Sequence, residues 1–284
     1  MLNLKHIPST KLFTSEPNPS WFGNPPNTPQ SPHWDARSSN WLKSRFHFSF
    51  AEYSNPRNSN FGVLRVMNDD FVQPSRGFGT HGHADMEIVT YVVEGWLTHK
   101  DSMGTEESLG PGSVQFMTAG SGIRHSEYND SDERGLRFIQ SWIVPRKRGL
   151  KPNYGSFDPI GSGSCSVRNE WRHLVSDVQN VSVKTPVEIE QDANLYVAEM
   201  DAGQSLSFEV SKNRMAYILC VDGSVKVTSG SSEVGLGRHD GCEVTPDNVS
   251  NGAELLFRTG DDMPAHVLMF EMEYTGGIAG RTDF

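Results

Sequence analysis

Short runs of apolar residues, many alternating with polar ones, recur along the chain and are separated by glycine, proline, asparagine and serine. A period of two predicts strands whose side chains point alternately to opposite faces. The runs occupy residues 45–50, 61–67, 87–93, 96–101, 113–117 and 136–144, and then 195–200, 206–210, 215–221, 224–228, 254–257 and 267–272. Short strands at this spacing, with little helical periodicity, predict an all-β fold of barrel or sandwich type.

The predicted strands form two groups with an irregular stretch between them at residues 149–175. This division predicts a first domain at residues 41–148 and a second at residues 149–284. Residues 1–40 are rich in proline, asparagine and serine, a composition that buries little apolar surface. We therefore predict an amino-terminal extension whose residues 1–30 are weakly ordered, although Trp21, Phe22 and Trp34 could dock on a folded surface. The Asn-Asp-Asp sequence at residues 68–70 predicts a turn that ends the strand at 61–67.

Composition and charge narrow the class of protein. The chain has 36% hydrophobic and 21% charged residues, as globular proteins do. Its formal net charge of −10 argues against direct nucleic-acid binding, which requires a positive surface. The three cysteines, Cys165, Cys220 and Cys242, form no CxxC pair and favour a reducing compartment. Residues 1–21 lack a secretory pattern, and no apolar run approaches membrane-spanning length, so we expect a cytoplasmic protein, or a nuclear one if eukaryotic.

Two pairs of polar residues stand out within the first group of strands. His81 and His83 are one residue apart, and so are His125 and Glu127. Because residues i and i+2 of a strand share a face, each pair points to one side, and a closed barrel could bring the pairs together inside. Three imidazoles and one carboxylate are a plausible ligand set for a divalent metal. They suit Fe(II), Mn, Ni, Cu or Zn, and the residues alone do not choose among these metals.

The same stretch resembles the cupin family and, within it, the pirins. His81, His83, Glu87 and Gly95 fit the first cupin motif, and the second is met loosely by Gly112, Gly120, His125 and Asn129, with Thr118 where proline is usual. The HxE pair of His125 and Glu127 is similar to the pirin variant of that motif. Pirins usually carry HPH, whereas this chain has Gly82. The runs DMEIVTYVVEGWLTHKDSMG and MTAGSGIRHSEYN resemble bacterial pirin-like proteins with quercetin dioxygenase activity.

The resemblance implies a bicupin with one metal in the amino-terminal barrel, held by His81, His83, His125 and Glu127. It favours Fe(II) and a dioxygenase that opens the heterocycle of a small aromatic substrate, a flavonol such as quercetin. Glu127 and Glu87 are the candidate catalytic carboxylates. Ordinary cupins use the glutamate at the position of Glu87 as a ligand, whereas the resemblance to pirins favours Glu127 as the ligand and Glu87 beside the ligands. His99 is expected to be a strand residue, hydrogen-bonded near the cavity.

The second domain contains no HxH or HxE pair, and His239 and His266 stand alone in the sequence, so we predict a degenerate barrel without metal. The alternative function is a non-catalytic, iron-binding, redox-responsive regulator that acts through a protein partner, as eukaryotic pirins do. The acidic composition means that such a regulator would need a protein partner rather than DNA. We expect a monomer in either case.

Overall fold

The structure is a computed structural model that describes residues 2–159, 161, 168–247 and 252–275. Cys165 and part of the predicted connection at 149–175 lie outside the described residues. Two short 3-10 helices span Ser9–Lys11 and Pro19–Phe22, and the other elements of the described chain are strands. In chain order the strands are β1 (Leu2–Ile7), β2 (Phe13–Ser15), β3 (Leu42–Phe46), β4 (Leu64–Val72), β5 (Arg76–His83), β6 (Glu87–Glu94), β7 (Leu97–Asp101), β8 (Glu106–Leu109), β9 (Val114–Thr118), β10 (Ile123–Asn129), β11 (Leu136–Ile143), β12 (Asn153–Phe157), β13 (Arg172–Asp177), β14 (Val187–Ile189), β15 (Ala193–Met200), β16 (Ser205–Ser211), β17 (Arg214–Ser229), β18 (Ser232–Gly237), β19 (Gly241–Pro246), β20 (Gly252–Arg258) and β21 (Ala265–Glu273).

These strands confirm the predicted all-β fold. No helix in the described part of the chain is long and apolar enough to cross a membrane. The chain divides into two compact units. The amino-terminal unit comprises Phe13–Pro56 and Leu64–Cys165, and the carboxy-terminal unit comprises Met1–Leu12, Arg57–Val63 and Ser166–Phe284. The first 40 residues are therefore divided between the two units rather than forming a separate extension.

The amino-terminal unit contains two antiparallel sheets. One has seven strands in the order β12-β9-β6-β11-β4-β3-β2, and the other has four in the order β5-β10-β7-β8. Apolar side chains from both sheets pack into one core, because alternate residues of each strand face inward. This core contains Trp41, Leu42, Val72, Val92, Leu97, Leu109, Leu136 and Phe138. The four-stranded sheet carries both ligand pairs of the sequence analysis.

Strand β4 differs from its prediction. The expected turn at residues 68–70 is absent, and β4 continues through these residues to Val72. Asp69 tolerates burial because Arg137 on β11 donates two hydrogen bonds to its carboxylate, at 2.8 and 2.7 Å. Charged residues are rarely buried unless they are paired in this way. The ion pair with a residue on a distant strand therefore outweighs the turn propensity of the Asn-Asp-Asp sequence.

The carboxy-terminal unit contains one ten-stranded sheet arrangement built around the long strand β17. The sequence predicts two strands here, at 215–221 and 224–228, separated by a turn. The structure instead has a single strand with a register shift between Cys220 and Asp222. Gly223 has a φ of 73°, a left-handed conformation that favours glycine, and so accommodates the irregularity. Cys220 and Cys242 are both buried.

The predicted weak order of the amino terminus is also overturned. Strand β1 pairs antiparallel with β19, and Leu2 is only 1% exposed. Strand β2 pairs with β3 in the other unit. The physical reason is that backbone pairing to a sheet edge needs no apolar composition, because the hydrogen bonds are made by main-chain groups.

We expect the first residues to resist proteolysis. Lys5 lies within β1 and forms an ion pair with Glu243 at 2.9 Å, so cleavage after it requires the edge strand to detach. Lys147 and Arg148 are exposed outside any strand and provide an internal control. Limited trypsin digestion followed by mass spectrometry should detect cleavage at the control residues before cleavage after Lys5. Removal of the amino terminus first would contradict the docked arrangement.

Candidate metal centre

Strands β5 and β10 lie side by side and bring the two polar pairs together. In their antiparallel register His81 is opposite His125, and His83 is opposite Ile123. A register shift follows, because Glu127 is opposite Phe78 rather than Gly79. On its other side β10 pairs regularly with β7, so His125 and Glu127 keep the common face that the alternation predicts. The extended ends assumed from the sequence are therefore present.

Three imidazoles converge at this point. The ring centroids of His81, His83 and His125 are 4.5 to 4.9 Å apart, and their ligating nitrogens lie within 4.8 Å of one another. Glu127 belongs to a second, overlapping group with His99 and His125. Among the described residues both groups lie in the amino-terminal unit. The geometry thus brings the three predicted histidines together and places Glu127 beside them through His125.

Hydrogen bonds to Nδ1 orient two of the histidines. His81 Nδ1 is 2.8 Å from the carbonyl oxygen of Gly79, to which it can only donate. That bond leaves its Nε2 lone pair available for a metal. His125 Nδ1 is 3.4 Å from His99 Nδ1, and His99 Nε2 is 3.1 Å from Asp101 Oδ2. With Asp101 accepting from His99, and His99 accepting from His125, the Nε2 atom of His125 likewise carries the lone pair.

The environment of these histidines fits a metal. His125 Nε2 is buried and has no hydrogen-bond partner among the described residues. Burying a polar atom without a partner costs free energy, and a bound metal ion would supply that partner. Burial, with the neighbouring His125 and His81, lowers the pKa of His83 to about 3. Burial, with His81 and His99, lowers the pKa of His125 to about 3. Neutral imidazole is the form that binds metals, so both side chains are ready to ligate at neutral pH.

Glu127 is held rigidly by two amides. Its Oε1 accepts a hydrogen bond from Gln115 at 3.1 Å, and its Oε2 accepts one from Gln140 at 2.8 Å. The Gln140 amide is itself oriented, because Trp142 Nε1 lies 3.2 Å from Gln140 Oε1, and the hydroxyl of Tyr154 lies 3.0 Å from both Gln115 Oε1 and Glu107 Oε2. The carboxylate, only 2% exposed, is therefore fixed as an acceptor next to the histidines.

Glu87 has a different setting. It is fully buried, and its Oε2 accepts a hydrogen bond from Thr118 Oγ1 at 2.8 Å. Glu87 on β6 is opposite Thr118 on β9, the residue that replaces the usual proline. Within the described chain it belongs to neither of the two ligand groups. The two candidate carboxylates thus differ in their hydrogen-bond partners and in their relation to the histidine groups.

A cavity of about 400 Å³ has His81, His83 and Glu127 in its wall. Much of the remaining lining is aromatic, and it includes Trp21, Phe22, Phe46, Phe50, Phe78 and Trp142. Trp142 also meets His83 edge to face, with the ring centroids 4.8 Å apart. The cavity is large enough for a small polycyclic ligand. A mostly apolar lining with a few polar groups at one end is typical of small-molecule sites.

Several other residues of the site were not singled out from the sequence. His99 lies on strand β7 and is hydrogen-bonded, as expected, but its partner Asp101 was not predicted. The two form an HxD pair on one face of β7, so the alternation that revealed the other pairs could have revealed this one. Asp70 lines the cavity because β4 does not turn before it. Burial raises the pKa of Asp70 to about 8, and the charges of Asp69 and Glu127 add to the effect. Gln115 and Gln140 carried no sequence signal.

We expect the metal-free protein to lose stability on acidification. His83 and His125 have folded pKa values of about 3, whereas the pKa of histidine in an unfolded chain is near 6.5. Below pH 6.5 the unfolded chain therefore binds protons that the folded chain does not. The stabilisation present above pH 6.5 is lost as the pH falls toward 3, at up to about 1.4 kcal/mol per pH unit for each histidine.

Urea denaturation of metal-free protein between pH 7.5 and 4.5 measures this slope. The matched control is the double variant His83→Gln, His125→Gln, whose stability should depend less on pH over the same range. Equal slopes for the two proteins would contradict the lowered pKa values.

Comparison with known proteins identifies the fold. Residues 30–143 match the Pirin family, and residues 179–272 match the quercetinase C-terminal cupin domain. The chain is 40% identical over 209 residues to the pirin-like protein of Caulobacter vibrioides, covering 74% of this chain and 86% of that protein. It is 38% identical over 221 residues to the quercetin 2,3-dioxygenase of Escherichia coli K12, covering 76% of this chain and 91% of that protein.

A solved structure supports the same assignment. The crystal structure of the bacterial pirin YhhW from Escherichia coli in complex with nickel(II) superposes with a TM-score of 0.74. The two proteins are 29% identical, and the match covers 95% of this chain and 99% of the other. The two β-rich units are therefore cupin domains. On these grounds the chain belongs to the pirin family.

Proposed function

We propose that this protein is a metal-dependent dioxygenase that uses Fe(II) and O₂ to open the heterocycle of a flavonol such as quercetin. The proposal depends chiefly on one observation: three converging imidazoles, one with an unpartnered buried Nε2, stand in or beside the wall of an aromatic-lined cavity. The name of the Escherichia coli relative supports the reaction type. A site with free coordination positions serves chemistry rather than structure.

The proposed ligands are His81, His83, His125 and Glu127. They offer three neutral nitrogens and one carboxylate oxygen, without a thiolate, which suits Fe(II) as well as other divalent transition metals. When bound, the metal supplies a Lewis acid that lowers the pKa of a coordinated hydroxyl group. His99 and Asp101 act by orienting His125, through the Nδ1 bond described above.

A carboxylate must accept the proton that the flavonol hydroxyl releases. Glu127 is the better candidate, because it lines the cavity, whereas Glu87 is fully buried against Thr118. Asp70 also lines the cavity, but its pKa of about 8 means that it holds its own proton at neutral pH. Asp70 is therefore suited to donate a hydrogen bond to a ligand oxygen rather than to accept a proton.

The test is turnover by purified protein loaded anaerobically with Fe(II). We expect quercetin loss, followed by absorbance, to match O₂ consumption mole for mole after air is admitted. Iron-loaded protein that binds quercetin and consumes no O₂ would exclude the dioxygenase and favour the alternative, a redox-responsive regulator with a protein partner. Metal-free protein is the matched control for oxidation of quercetin in solution.

We expect one metal per chain. The carboxy-terminal unit lacks both the HxH and the HxE pair. Elemental analysis of anaerobically purified protein should therefore give no more than about one metal per chain. Two metals per chain would contradict a metal-free second domain. The same measurement, with iron, manganese, nickel, copper and zinc quantified together, tests the proposed preference for iron.

A further inference from the structure

The amino-terminal segment at residues 13–24 forms part of the cavity wall, together with strands of the same unit. Ser15, Pro17, Trp21 and Phe22 all line the cavity that contains His81 and His83. The match to the Pirin family begins at residue 30, so this part of the wall lies outside the matched region. A segment that lines a ligand cavity is a natural place for substrate selection.

The segment is firmly anchored. The Asn24 side chain makes two hydrogen bonds with the backbone of Gly77, donating from Nδ2 at 2.7 Å and accepting at Oδ1 at 3.0 Å. The 3-10 helix Pro19–Phe22 is capped by Asn18, whose Oδ1 accepts from the backbone N–H of Ser20 at 3.0 Å. At the other end, β2 pairs with β3. These bonds fix the segment on both sides of Trp21.

The anchoring point lies on the strand that carries the histidines. A Cβ added to Gly79 would come 2.9 Å from the carbonyl oxygen of Phe22, so the segment can approach β5 closely only because residue 79 is glycine. The Phe22 ring packs against Trp41 and Phe78, with ring centroids 5.3 and 5.5 Å away. The wall is therefore positioned two residues from His81.

Trp21 is the exception within this packed segment. Its neighbour Phe22 is packed in the aromatic cluster, whereas Trp21 lines the cavity and is 73% exposed. Exposing so much indole surface forgoes the burial energy that large aromatic side chains usually provide. Because its backbone is fixed at a cavity mouth, an aromatic ligand could cover this surface at little entropic cost.

We propose that Trp21 is a specificity-determining residue that stacks on the part of a planar polycyclic ligand farthest from the histidines. The inference rests on the proposed function, since it assumes a flavonol-like ligand whose oxygen atoms face His81 and His83. It assigns the amino-terminal segment a role in selecting extended aromatic ligands over single-ring ones. A catechol-sized ligand reaches only the histidine end and gains nothing from Trp21.

The test is calorimetric titration of Fe(II)-loaded protein with quercetin and with catechol under nitrogen, where no turnover occurs. Trp21→Ala should weaken quercetin binding about 2- to 10-fold, the range expected for loss of one aromatic stacking partner. Trp21→Phe should keep most of the affinity. Catechol binding should be unchanged in both variants. Trp96→Ala is the matched control, since Trp96 is also exposed but does not line the cavity.

Each outcome decides the question. Weaker quercetin binding with intact catechol binding and metal content in Trp21→Ala, and no effect in Trp96→Ala, supports the proposal. Equal quercetin affinity in the parent protein and in Trp21→Ala overturns it while leaving the proposed function in place. An equal loss of affinity for quercetin and for catechol in Trp21→Ala also overturns it, because the effect would then not depend on ligand length. Failure of the parent protein to bind quercetin removes the proposed function and this inference together.

Discussion

His125→Ala is expected to abolish most metal binding. The side chain supplies the only buried Nε2 among the three converging imidazoles that the described structure leaves without a hydrogen-bond partner. Its Nδ1 is already engaged by His99, so no other atom of the residue can serve. Changes to residues that merely orient a ligand cost about 10- to 100-fold in metal affinity, and removal of the ligand should cost at least about 100-fold.

The measurement is metal content after dialysis at a fixed free-metal concentration. His33→Ala is the matched control, because His33 is exposed and lies in the same unit away from the cavity lining. Circular dichroism should show that His125→Ala remains folded, since the deleted imidazole is not part of an apolar core cluster. Full metal occupancy in a folded His125→Ala protein would refute the proposed ligand set.

Glu127→Gln is expected to be far more damaging than Glu87→Gln. Both oxygens of Glu127 accept amide N–H groups, and Trp142 holds the Gln140 amide in its present orientation. A glutamine at position 127 has one acceptor oxygen for these two donors, so its NH₂ group displaces one of the present bonds. The loss combines a missing anionic ligand with a disrupted buried hydrogen bond, and a buried donor left unsatisfied costs about 1–3 kcal/mol.

Glu87→Gln retains an acceptor oxygen for Thr118. The hydroxyl of Thr118 can donate to an amide oxygen as well as to a carboxylate. We expect near-normal metal content in this variant and at least about a 100-fold loss of affinity in Glu127→Gln, by analogy with a lost ligand. Metal analysis and quercetin turnover should be measured on both proteins. Loss of metal from Glu87→Gln alone would reverse the two assignments.

The alternation rule located both polar pairs because it depends only on local backbone geometry. His81 and His83 share a face wherever β5 lies, and the same holds for His125 and Glu127 on β10. Which strands become neighbours depends on contacts between distant residues, and spacing does not reveal them. The pairing of β5 with β10 was thus an assumption until the register placed His81 opposite His125.

The two wrong predictions, a turn at residues 68–70 and weak order at residues 1–30, have one cause. Both follow from local composition, and in both regions partners distant in the sequence determine the structure. Arg137 neutralises Asp69, and β19 supplies a backbone partner for β1. The local sequence of a charged or proline-rich stretch does not predict such a partner, because the stabilising free energy comes from a contact with a residue distant in the sequence.

The register of β5 against β10 has a consequence for how the protein folds. Slipping this pairing by one residue would turn His81 and His83 to the opposite face, where they could not meet His125. A metal held by these residues would bind only the correctly aligned pair of strands, and it would stabilise that arrangement by about 4 kcal/mol at a thousandfold excess over its dissociation constant. Metal binding would then select the native strand alignment. Refolding with metal present should give a higher yield of native chains than refolding followed by metal addition.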